Sequence, residues 1–168
     1  MATAFVDAWR GFDEGLVATY LATEADLSSF EWGGGTWQMN NRLAEAQGFE
    51  MLLESCEAVA ASTAISCAFD FHSLRSNEVE NGPFGGNRFN VRVEGGEVVS
   101  AQMHLDVSEF GPQMWDPFAN WLAETYPEDV GVMYTSSAQT LEALTEESIA
   151  LWEQRSREYV DVVNSTSG

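Results

Sequence analysis

FNVRVEGGEVVSAQMHLDV, residues 89–107, is the stretch that decides the fold class. Phe89, Val91 and Val93 alternate with Asn90, Arg92 and Glu94. Beyond Gly95-Gly96, Val99, Ala101, Met103, Leu105 and Val107 alternate with Ser100, Gln102, His104 and Asp106. A period of two with one apolar face is the pattern of half-buried antiparallel strands. The Gly-Gly pair between them predicts a tight hairpin. Upstream, Ile65, Cys67, Phe69 and Phe71 alternate with Ser66, Ala68, Asp70 and His72, which predicts a third strand. The Gly- and Pro-containing stretch 76–87 is a longer connection.

The flanks read as helices. Phe5, Trp9 and Phe12 share one helix face, and Asp13 can cap a second helix carrying Leu16, Val17, Tyr20 and Leu21. A short extended piece follows at Ser28 to Trp32. Gly33-Gly34-Gly35 is a flexible turn and not a phosphate cradle, because no Gly-Lys-Ser/Thr completes it. Arg42 to Glu57 is expected to be a helix, with Leu43, Ala46, Leu53 and Cys56 on one stripe and Gly48 a small penalty within it. Downstream, Asp116-Pro117 predicts an N-cap with Pro at the first helical position. Trp115, Phe118, Trp121, Leu122 and Tyr126 line that helix, and Pro127 stops it. Thr145 caps a last helix whose stripe is Ile149, Trp152, Tyr159 and Val163, with Leu144 and Ile149 as a hydrophobic staple.

Composition bounds the chemistry. The chain has 168 residues, 45% apolar, with 6 Trp, 10 Phe and 4 Tyr, which excludes a disordered chain. Its charge is 7 − 27 = −20, and every basic residue is Arg. Such a surface repels phosphate backbones and anionic lipid, so neither nucleic acid nor membrane is an expected partner. Without Lys there is no Schiff-base chemistry. Cys56 and Cys67 both sit in apolar patterns and read as buried free thiols. No basic leader and no apolar run of about 20 residues is present, so a cytoplasmic protein is expected.

The stretch FHSLRSNEVENGPFGGNRFNVRVEGGEVVSA, residues 71–101, with FGPQMWDPFANWLAETYPED (110–129) and LTEESIALWEQRSREYV (144–160), resembles bacterial, mainly actinobacterial, members of the nuclear transport factor 2-like (SnoaL-like) superfamily. The resemblance implies an α+β fold in which a conical, curved antiparallel sheet wraps the N-terminal helices. A single domain over 1–168 is expected, with a core at about 2–110 and a helical tail at about 112–163. It also implies a pocket and, often, a homodimer. Because superfamily members include isomerases, dehydratases, cyclases, hydrolases and binding modules, the resemblance carries no catalytic residue over.

Two sets of residues are candidates for a site. His72 and His104 each share a strand face with a carboxylate two residues away, Asp70 and Asp106. A carboxylate beside an imidazole fixes its tautomer and raises its basicity, which suits acid–base catalysis. The same four residues also read as the solvated face of an amphipathic sheet. The second set is ligand-binding: Tyr20, Trp32, Phe69, Phe71, Phe89, Met103, Leu105 and Trp115, the face expected to line a cone. Trp37 and Asp26 are further rim candidates, and Glu78, Asn87 and Arg88 flank a loop that can gate the mouth. There is no HxH, HExxH, GxSxG, GxGxxG or CxxC, so no metal, nucleotide or organic cofactor is expected. The function these features favour is binding of a small apolar molecule, with cofactor-independent isomerisation or dehydration by acid–base chemistry; a non-catalytic binding or dimerisation module is the alternative.

Overall fold

The computed structural model describes residues 1–166. Helices α1 (Ala2–Arg10) and α2 (Glu14–Tyr20) lead into strand β1 (Leu21–Asp26), and α3 (Trp37–Ala46) precedes β2 (Glu50–Ala58), β3 (Ala64–His72), β4 (Phe84–Glu94) and β5 (Glu97–His104). Helices α4 (Asp116–Thr125), α5 (Pro127–Met133) and α6 (Glu146–Thr166) form the C-terminal extension. The curved, unclosed sheet has the order β1-β5-β4-β3-β2. Its pairs are antiparallel except β1 with β5, which run parallel.

The N-terminal pair forms as its pattern predicts. Asp13 accepts a hydrogen bond from the Leu16 N–H at 2.9 Å and caps α2. Phe5, Val6, Trp9 and Val17 are buried. The next piece differs from expectation. Ser28–Phe30 is a single 3-10 turn, and the strand lies just before it, in β1. Asp26 accepts from both the backbone N–H and the hydroxyl of Ser28, which turns the chain there.

The helix expected over Arg42 to Glu57 is instead the end of α3 followed by β2. Gly48 is the reason. It holds φ +66, its N–H donates to the Glu45 carbonyl, and the Phe49 N–H donates to the Ala44 carbonyl, both at 2.9 Å. These two bonds make a Schellman stop, for which Gly at the left-handed position is the usual residue. Leu43 and Ala46 therefore sit on a helix and Leu53 and Cys56 on a strand. The common stripe was a coincidence of spacing across the stop.

That change also corrects the reading of the cysteines. Cys56 on β2 lies directly opposite Cys67 on β3, and the two form a disulfide with Cα atoms 4.0 Å apart. They are not free thiols. A helical Cys56 had no cross-strand partner; a strand Cys56 has one.

Each of the three antiparallel pairs carries a bulge, and those in β4–β5 and β3–β4 set the faces around the site. The β4–β5 register passes from Arg92↔Ser100 to Val93↔Val98, so Val99 is an extra residue. Val98 is the buried one, while Met103 pairs with Phe89 on the inner face. The β3–β4 register passes from Phe69↔Asn87 to Phe71↔Phe84, with the extra residue at Gly85-Gly86. Asn87 secures this bulge. Its buried amide donates to the Phe69 and Phe84 carbonyls at 3.0 and 2.8 Å and accepts from the Asp106 N–H at 2.9 Å. Asn87 thus clamps the sheet and does not gate a mouth; Glu78 pairs with Arg75, and Arg88 is exposed on the outer face.

Inside the sheet, Trp9 lies 4.4 Å from Phe30 and 5.7 Å from Phe89, ring centre to ring centre. Each such side chain removed from water contributes roughly 1.5–3 kcal/mol. The extension has its own aromatic cluster, in which Trp152 stacks on Phe118 and Trp115 at 5.3 and 5.7 Å. Asp116 is not an N-cap, because the backbone is already helical through a π-turn at Gly111–Trp115 that runs into α4. Pro127 does separate α4 from α5, and Thr145 accepts from the Ser148 N–H at 3.1 Å at the start of α6. Helix α6 packs on α3, where the Ser156 hydroxyl donates to the Ala46 carbonyl at 3.4 Å.

Candidate active site

Where the extension meets the open end of the sheet, a cavity of about 730 Å³ remains. Its walls come from the ends of α1 and α3, the turn after β1, the inner face of the sheet, α4 with the turn before it, and the 138–142 segment. A volume of this size suits a small organic molecule. Trp9, Phe30, Trp32, Phe49, Phe71, Phe110 and Trp115 supply aromatic surface, and Met103, Leu105 and Val107 supply aliphatic surface. Polar groups are few: Asn40, Gln47, Asn120, Asp116, Glu142 and Arg10 stand out.

Of the residues the sequence nominated for a ligand, Trp32, Phe71, Met103, Leu105 and Trp115 are on this wall. Phe69 and Phe89 point inward but are sealed in the core behind it. Tyr20 packs edge-on against Phe5 with ring centres 6.5 Å apart, away from the cavity. Trp37 is a core residue and Asp26 a turn residue.

The His–Asp residues do not form one group. His72 is buried, and its Nδ1 shares a hydrogen bond of 2.8 Å with the Ser76 hydroxyl. His104 and Asp106 are exposed on the face of the sheet away from the cavity. Asp106 borders a smaller hollow of about 260 Å³ with Phe84, Gly85, Gly86, Ser108 and Glu109. Asp70 lies beside Gly85. Hydrogen bonds from the Ser108 hydroxyl and backbone hold the Asp106 carboxyl below the ordinary Asp range. A carboxylate stabilised in its charged form is a weak base. Among the described residues, no three His, Cys, Asp or Glu side chains gather as a metal would need.

Glu142 is the acidic group with the stronger chemistry. A single bridge pairs its backbone with Tyr134. The Trp32 indole N–H donates to the Glu142 carbonyl at 2.7 Å, and the Gln47 amide donates to its carboxylate at 3.1 Å. Burial pushes its carboxyl above the ordinary Glu range, and hydrogen bonds from its own backbone and from Gln47 offset this only in part. Tyr134 is buried with an unpartnered hydroxyl, and burial, followed by the Glu142 charge, pushes its pKa up so that it resists ionisation. The segment is pinned at its other end, where the Trp115 indole donates to the Gln139 carbonyl at 2.9 Å and the Gln139 amide donates to Ala119 at 3.0 Å. Gly35 permits close contact with Leu144, since a Cβ at Gly35 would overlap the Leu144 side chain.

Sequence reading passed over Glu142. It is one of 27 acidic residues and lies in a segment with no periodicity. Its environment is built by Gln47 and Trp32, which are about a hundred residues away in the chain.

No family model matches the sequence, and no curated protein matches it. Solved structures similar to the chain include an NTF2-like protein of unknown function from Cytophaga hutchinsonii, at 11% identity and a TM-score of 0.45, covering 65% of this chain and 89% of that one. An uncharacterized cystatin-fold protein from Novosphingobium aromaticivorans shares 10% identity at a TM-score of 0.41, over 62% and 94%. A hypothetical protein with a ketosteroid isomerase-like fold from Catenulispora acidiphila, solved with trimethylamine, shares 17% identity at a TM-score of 0.41, over 67% and 89%. These likenesses, at TM-scores of 0.41 to 0.45, assign neither a family nor a chemistry to this chain.

Proposed function

We propose that the chain binds a small, largely apolar molecule in the 730 Å³ cavity and moves a proton on it, as in an isomerisation or dehydration, without a metal or organic cofactor. The observation that carries this reading is Glu142, a carboxyl of raised pKa set in an aromatic wall and oriented by Gln47. A carboxyl whose pKa approaches the working pH can both take and return a proton. Phe71, Met103, Leu105, Trp32 and Trp115 are the proposed apolar contacts. Asp70, His104 and Asp106 on the outer face are the weaker candidates, since the Asp106 carboxylate is stabilised in its charged form, and His72 is bound to Ser76.

The proposal includes one domain, with the extension completing the cavity. It also includes a homodimer, because the extension packs on α3 and leaves the outer sheet face with Arg88, Arg92, Gln102 and His104 uncovered. No helix among the described residues is long and apolar enough to cross a membrane. The proposed location is the cytoplasm.

The neutral dye N-phenyl-1-naphthylamine tests the site. Its fluorescence should rise to saturation on the full chain. Leu105→Trp, which fills the cavity, should weaken binding about tenfold or more, a loss of about 1.4 kcal/mol; His104→Ala should not. Equal binding by the Leu105 variant and the parent would overturn the reading. A non-catalytic module would bind the dye in the same way but would turn over no substrate, with or without Glu142.

A further inference from the structure

We infer that the natural ligand of the cavity carries a positive charge, as an organic amine or quaternary ammonium on an apolar body. The inference rests on the reading of the cavity as a small-molecule site and names the ligand class for it.

Three observations point the same way. The first is the wall. Trp9, Phe30, Trp32, Phe71, Phe110 and Trp115 surround one space, and aromatic faces attract a cation through their quadrupole, most strongly where water is excluded. The second is the charge within that wall. It includes two carboxylates, Glu142 and Asp116, against a single cation, Arg10. Arg10 already pairs with Asp7 at 3.0 Å. An anionic ligand has no unengaged positive partner in this wall, whereas a cation meets two acids. The third is the field of the molecule. A net charge of −20 raises the local concentration of organic cations at any acidic mouth.

The geometry joins rings and acid. Trp32 donates to the Glu142 carbonyl and Trp115 to the Gln139 carbonyl, so two indoles hold the segment that carries the carboxylate. Without ligand, burial favours the neutral form of Glu142. A bound cation favours the charged form, so binding releases a proton and affinity rises with pH. The groups that face Glu142 or share its cavity do not reverse that sign. Gln47 from α3 stays neutral, Tyr134 across the bridge resists ionisation, Asp116 from α4 adds negative charge, and Arg10 from α1 is engaged with Asp7.

A charged and an uncharged molecule of one shape separate this from simple apolar binding. Benzyltrimethylammonium and neopentylbenzene differ in a nitrogen cation against a carbon. Each is titrated into the full chain carrying N-phenyl-1-naphthylamine, and dye release is followed. The cation should displace the dye at about a tenfold lower concentration. Its advantage should grow with pH and collapse in Glu142→Gln, with a smaller loss in Asp116→Asn. Each substitution removes one of 27 acidic groups, so neither alters the overall field much. If neopentylbenzene displaces the dye equally well or better, the cationic class is wrong while the cavity remains a binding site. If the cation's advantage survives both substitutions and vanishes only in high salt, it reflects surface attraction, and the inference falls. If the dye itself does not bind, the inference and the cavity reading fall together.

Discussion

At the scale of single residues, Glu142 shows how burial favours the neutral form of a carboxyl group. The sign of its effect on stability follows from its raised pKa. Its contribution is fullest below the ordinary Glu value of about 4.3 and is lost as pH rises through the raised folded value. Glu142→Gln removes that loss. The variant should match the parent in acid and gain on it steadily toward neutral pH, by roughly 2–4 °C in Tm for each kcal/mol recovered. Asp26 and Asp106, held below their ordinary range by hydrogen bonds from Ser28 and Ser108, act identically in both proteins and cancel in the difference. Thermal melts across pH check this; a Tm difference independent of pH contradicts the raised pKa. Residues such as Phe71, Met103 and Leu105 were legible in the sequence because strand alternation assigns a face. Glu142 was not, because what raises its pKa is tertiary burial and its partners are distant in sequence.

At the scale of elements, local chemistry was readable where one residue decides the outcome within a turn or two. Asp13, Thr145 and Pro127 act as their positions in the sequence imply. Gly48 carried its signal too, but its left-handed conformation outweighs the helical spacing that continues through Leu53 and Cys56. With the strand misread as helix, the cross-strand disulfide was invisible. The 134–145 segment depends on a different glycine. Gly35 sits against Leu144 with no room for a methyl group. Gly35→Ala must push that segment outward, with Glu142 on it, at a cost of about 1–3 kcal/mol for overpacking. The variant should melt lower and bind N-phenyl-1-naphthylamine more weakly, while far-ultraviolet circular dichroism stays unchanged. Unaltered dye affinity would show that the segment does not shape the cavity.

At the scale of the whole molecule, the sheet supplies a concave apolar face and the C-terminal extension closes over its open end. The cavity belongs to both, so neither half of the sequence displays it alone. Alternation made β3, β4 and β5 legible and the resemblance implied the cone, whereas the roof is built by α4 and the 138–142 segment, which shows no periodicity. The outer face, polar and uncovered, is where a second copy is proposed to pair. Light scattering should return twice the chain mass of 18.5 kDa, and a mass of 18.5 kDa across micromolar concentrations would contradict the dimer. The position of a bound molecule bears most directly on the cavity itself. A crystal structure of the full chain saturated with N-phenyl-1-naphthylamine should show the dye between Trp32, Leu105 and Trp115, within reach of Glu142. Dye seated instead on the outer face beside His104 and Asp106, with the inner cavity empty, would contradict it.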